Sequence, residues 1–114
     1  MENPRSRWII PKVLARMNEM NNTFLSEENK KNINNILLAN LQDFVFYENY
    51  KGYSYLVKIN SITALGVFGD LSAIPILDDI IKYDTTIRPL YGAKLDIKTE
   101  AGKSIENIKA RIKQ

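Results

Sequence analysis

Apolar residues along the chain recur at spacings of three and four, the period of an α-helix packed on one side, and hardly ever in strict alternation. Val13, Met17, Met20 and Phe24 are four, three and four residues apart and predict a first helix, entered through Asn3-Pro4 and broken or restarted at Pro11. Ser26 is placed to cap a second helix whose first turn holds Glu27 and Glu28, where the helix dipole favours negative charge. Ile33, Ile36, Leu37, Leu41 and Phe44 form its apolar stripe, with Leu38 and Val45 widening it and Asn40 inside it, to about Tyr47. After a break at Lys51-Gly52, Ser54 is placed to cap a third helix from about Tyr55 to Phe68, with Ile59, Ile62 and Leu65 inward. Ala64 and Gly66 would let a neighbouring backbone approach closely. Gly69 is expected to close this helix in a left-handed conformation, and Asp70 or Ser72 to cap a fourth, which carries Pro75 in its first turn. Ile74, Leu77, Ile80 and Ile81 give that helix its face, and it should end near Asp84. The last helix starts near Lys98 and shows the cleanest periodicity, with Ala101, Ile105, Ile108 and Ile112 at four, three and four.

The fold class expected is therefore all-α, with about five helices. A length of 114 residues suits one domain with one core. Within it the pattern divides into an N-terminal helical hairpin (1–47), a central hairpin (55–84), a long connection (85–97) and a C-terminal helix (98–113).

Two of these segments share a spelling. Val57-Lys58-x-x-Ser61-x-x-Ala64-Leu65 aligns with Ile97-Lys98-x-x-Ala101-x-x-Ser104-Ile105 at an offset of forty residues, matching an aliphatic, a cation, two small residues and a closing aliphatic. Small residues one turn apart let helices stack closely while aliphatics fill the seam. With the Gly69-Asp70 turn that follows the first copy, this resembles the HEAT-like repeat of the phycobilin-lyase type over about residues 55–113. The resemblance implies a short right-handed α-α superhelix of stacked antiparallel hairpins, an architecture used for binding. Asp84 falls where such repeats often carry an aspartate at the end of the second helix. The family usually has arginine where this chain has Lys58 and Lys98, and a lysine cannot make a planar two-pronged contact. Shared stacking residues carry no activity over.

Composition narrows the chemistry. The chain has no cysteine and no histidine, which removes disulfides, thiolate and imidazole metal sites, and histidine-based acid–base catalysis. Asp78 and Asp79 are adjacent, so on a helix they diverge by about 100 degrees and make a poor carboxylate pair. Phosphate-binding glycine loops are missing. No catalytic residue, cofactor or metal is expected, and the chain reads as non-enzymatic. Without a signal-peptide-like start or a long apolar run, a cytoplasmic protein is the expectation.

Binding is left as the functional class. Six of the eleven aromatic residues fall between Phe44 and Tyr55. Phe44 is read as core; Tyr47, Tyr50 and Tyr53 are either packing at the hairpin junction or a recognition surface, since tyrosine joins a large apolar body to a polar tip. The long connection carries Ile87, Arg88, Leu90, Tyr91 and Lys94, and either covers an open end of the stack or presents a surface to a partner. Candidate partner-binding residues are thus Tyr47, Tyr50, Tyr53, Arg88, Leu90, Tyr91 and Lys94. The expected role is a protein–protein interaction module, an adaptor, regulatory or assembly subunit. Two alternatives stand beside it: nucleic-acid binding along basic flanks such as Lys98, Lys109 and Lys113, although 16 basic against 13 acidic residues make only a mildly basic, mixed surface, and self-association into a homodimer or larger structural piece.

Overall fold

The computed structural model describes residues 7, 9–11, 13, 26–86 and 96–112. Among these residues all regular structure is helical: α1 (Glu27–Gln42), α2 (Phe44–Asn49), a 3-10 turn (Lys51–Tyr53), α3 (Ser54–Phe68), α4 (Ala73–Tyr83) and α5 (Ile97–Ile112). Arg7, Ile9, Ile10, Pro11 and Val13 are also helical, with Pro11 inside the helical run and buried. No helix among the described residues is long and apolar enough to cross a membrane.

α3 is apolar on nearly every side and buries Val57, Ile59, Ile62, Ala64, Leu65 and Phe68, as a helix at the centre of a bundle must. α5 packs closely on both α3 and α4, and α1 on α3. α5 runs in the same direction as α3: Ser104 Oγ donates to the Ile62 carbonyl at 2.7 Å, and further along both helices Arg111 reaches the carbonyls of Gly66 and Gly69, the latter at 2.6 Å. The crossing is close because Gly66 has no side chain. A Cβ placed there would lie 2.9 Å from Ser104 Oγ and 3.4 Å from Ser104 Cα, so the close approach expected at Gly66 is made by Ser104. Arg111 satisfies carbonyls that the end of α3 would otherwise leave open.

α1 runs back along α3, with Asn34 at the turn after α3 and Leu41 near the Lys58 end. Asn34 is fully buried: its Oδ1 accepts from the Asp70 N–H at 3.1 Å and its Nδ2 donates to Ser72 Oγ at 3.2 Å. One amide of α1 thereby fixes the turn that launches α4.

Several expectations are corrected. α1 does not continue to Tyr47; it stops at Gln42 because Asp43 leaves the helix and accepts from the Phe46 N–H at 3.0 Å, capping α2 instead. An aspartate side chain that competes for a backbone donor makes such a break. The new helix turns Phe46 and Tyr47 inward and leaves Phe44, expected in the core, 75% exposed, with Val45 exposed beside it. The buried face of α1 is also rotated from the expected stripe: Asn34, Leu37, Leu38, Asn40 and Leu41 are in and Ile36 is out. Ser54 and Ser72 make no side-chain cap; the Asp70 carboxylate holds Ser72, accepting from its N–H at 2.8 Å and from its hydroxyl. Gly69 is extended, at φ −69° and ψ 154°, and not left-handed. It is glycine for lack of room, since a Cβ would lie 2.5 Å from the Leu65 carbonyl oxygen and 2.9 Å from Ile108 Cδ1. At either end of the pattern, Val13 and Ile112 are exposed although counted on apolar faces.

The glycines give opposite expectations for one substitution. Gly102→Ala, in α5 with open space around it, should raise stability by up to about 1 kcal/mol, the ordinary helix gain. Gly66→Ala and Gly69→Ala should each lower it, by about 1–3 kcal/mol, because the added methyl meets packed atoms. Urea unfolding of the three variants against wild type checks the signs.

Candidate functional site

Where α1 gives way to α2, the chain's surface opens into a groove of about 440 Å³ bounded by α4. Asp43 creates it. By ending α1 and capping α2 it aims Phe44 outward along one rim, and Tyr83, the last residue of α4 and 74% exposed, stands on the other. Leu41, Ile76 and Ile80 line the groove with apolar surface, and Gln42, Asp79 and Thr85 add polar groups.

At the inner end lies Lys58. It projects from α3, its Nζ 4.8 Å from the centre of the Tyr47 ring, and donates to Asp84 Oδ2 at 2.8 Å and to Thr86 Oγ1 at 2.6 Å. Both side chains of the ion pair are largely withdrawn from water, at 15% and 8% exposure. Asp84 is the residue that ends α4, and its other oxygen accepts from the Thr86 N–H at 2.8 Å. Burial acts to raise the Asp84 pKa, but the hydrogen bonds from Lys58 and Thr86 outweigh it and hold the carboxyl below its ordinary value. The cation and the aspartate singled out by the repeat spelling are thus one contact, tying the end of α4 to α3.

Behind the groove is an aromatic cluster. Tyr47 is buried at 8% exposure, its hydroxyl donating to the Asn40 carbonyl at 2.5 Å, and burial pushes that hydroxyl's pKa up. Phe46 meets it edge-on, with centroids 5.7 Å apart, and lies 5.0 Å from Tyr50. Arg7 stacks 4.5 Å above Phe46, pairs with Asp43 at 3.0 Å and donates to Asn40 Oδ1 at 3.2 Å. The Phe46 N–H, opposed by desolvation and helped by Arg7, holds Asp43 below the usual carboxylate range.

Of the expected partner-binding residues, Tyr47 is a packing residue. Its side chain fills the space under Lys58, so it is not presented to a partner. Tyr50 and Tyr53 are half-buried, pack on the Phe46, Tyr47 and Val57 cluster, and do not line the groove. Arg88, Leu90, Tyr91 and Lys94 lie outside the described residues. Reading the sequence missed Phe44 and Tyr83. The signal for Phe44 was Asp43, three residues before an N–H it could cap; Tyr83 continues the spacing of Ile76 and Ile80 by three. Asp78, one of the adjacent carboxylates, pairs with Lys82 at 3.0 Å. No cluster of three or more metal-ligating side chains occurs among the described residues.

No family model matches this chain, and neither the curated proteins nor the solved structures contain a match to it.

The Lys58–Asp84 pair sets two expectations. Asp84→Asn should cost about 1–3 kcal/mol by leaving a buried ammonium without its counter-charge, and Lys58→Met in the same chain should recover part of the loss. Because the folded carboxyl titrates below its ordinary 3.8, its stabilisation is complete above that value and disappears as pH falls through the lowered one. Acid unfolding of wild type and Asp84→Asn should accordingly converge at low pH. Parallel curves at constant separation would contradict this.

Proposed function

We propose that the chain is a non-catalytic protein–protein interaction module of HEAT-like type, which takes a segment of a second polypeptide chain in the groove between the α1–α2 junction and α4. The observation that carries this reading is the groove's construction: two large aromatic side chains, Phe44 of α2 and Tyr83 of α4, are exposed and line the same channel with Leu41, Ile76 and Ile80. Exposed aromatics around a packed apolar floor are the composition of interface centres. In a HEAT-like stack α3 and α5 would be first helices of successive units, which accords with their parallel course and with the burial of Ser61, Ala64, Ala101 and Ser104 at the small positions. α1 and α4 would then be second helices, and the groove would run along their shared layer.

Nucleic-acid binding draws less support. Lys98 and Lys109 of the basic flank are exposed on α5, while Arg111 of the same helix is spent on the Gly66 and Gly69 carbonyls and extends no basic stripe.

Phe44→Glu and Tyr83→Glu should leave unfolding free energy within about 0.5 kcal/mol of wild type, since both side chains are exposed. In affinity capture from the native host followed by mass spectrometry, each should lose a partner that wild type retains. An unchanged set of captured proteins would refute the proposal.

A further inference from the structure

Resting on that reading of the groove, we infer that its occupant is a second copy of the same chain, whose N-terminal helical residues Ile9, Ile10 and Val13 dock between Phe44 and Tyr83 to join copies head to tail. Two independent surfaces of the molecule match. Ile9, Ile10 and Val13 are helical and exposed, Ile10 by 53%, and spacings of three and four place Ile10 and Val13, and Ile9 and Val13, on one side of a helix. They are not among the residues that line the groove of their own copy.

Charge points the same way. Residues 5–16 contain no acid and four cations, Arg7, which is paired with Asp43 of its own copy, and Arg5, Lys12 and Arg16. The segments bounding the groove are the reverse: residues 42–49 contain Asp43 and Glu48 and no cation, and residues 76–85 contain Asp78, Asp79 and Asp84 against Lys82. Asp43, Asp78 and Asp84 are matched by Arg7, Lys82 and Lys58, which leaves Asp79, on the groove wall, without an ion pair among the described residues. An apolar channel with a residual negative rim suits an apolar stripe set in a basic segment. Arg7 strengthens the match: its pair with Asp43 and its stacking on Phe46 fasten the N-terminal residues to the body, so the stripe is presented in a fixed position and less entropy is lost on docking.

Docked head to tail, each copy offers a stripe to one neighbour and a groove to another, and assembly proceeds to a ring or an open chain, whereas a reciprocal two-fold pair would stop at a dimer. By sedimentation velocity the wild-type chain should show a mass that rises with concentration past that of a dimer, which a two-fold pair would not. Ile10→Glu and Tyr83→Glu should each weaken association by tenfold or more, and an equimolar mixture of the two should form a dimer, since Tyr83→Glu keeps an intact stripe and Ile10→Glu an intact groove. Circular dichroism of both variants confirms that they are folded. Association that survives both substitutions, or a mixture that stays monomeric, would overturn the inference. A wild-type chain that is monomeric at every concentration would overturn it too. In that case, a captured partner lost in Tyr83→Glu would still leave the groove as a protein site, whereas a partner retained would remove both readings.

Discussion

The approach of α3 and α5 at Gly66 is the constraint on which the rest of the molecule depends. Backbone meets backbone there because Gly66 faces Ser104, and the contact is locked by hydrogen bonds from Ser104 to Ile62 and from Arg111 to the last carbonyls of α3. A glycine within a helix costs about 1 kcal/mol relative to alanine, and here the loss is offset by packing that no larger residue permits. With α5 held against it, α3 has α1 on another side and little surface left for water.

α4 is held differently. Ala73 and Leu77 are its fully buried residues, and Ile74, Ile76, Ile80 and Ile81 pack half-buried against the core, so its apolar face holds it to the bundle. Polar contacts pin its two ends: Asn34 fixes the turn at its start, and Lys58 binds Asp84 at its finish. A largely buried ion pair adds little net stability over an apolar pair of the same shape, but it is specific in geometry. Its consequence here is positional. It sets the end of α4, hence Tyr83, at the distance from Phe44 that makes a groove and not a flat surface.

The sequence makes the helical fold legible because helical periodicity survives wherever one face of a helix is buried and the other is wet. α3, α4 and α5 fall within one or two residues of their expected limits, and a close approach at Gly66 was readable from the sequence, though its partner Ser104 was not. Three further features were not. The break at Asp43 depends on one side chain winning a competition for the Phe46 N–H, and a stripe that runs on through Phe44 hides it. The requirement at Gly69 is steric and comes from Leu65 and Ile108, the latter thirty-nine residues away in the sequence, so local turn rules suggest a left-handed residue that the structure does not contain. The placing of Tyr47 inside and Phe44 outside follows from the same break, which is why the aromatic segment was recognised as distinctive while its exposed member was misassigned.

The close parallel crossing of α3 and α5 is tested most directly by nuclear Overhauser effects in the isotopically labelled chain. Strong contacts between the Gly66 α-protons and the α- and β-protons of Ser104, with weaker ones from Gly69 to the Ile108 methyl, are the predicted result. Absence of the Gly66–Ser104 contacts in an otherwise well-resolved helical spectrum, or Gly66 contacts to α4 in their place, would contradict the account.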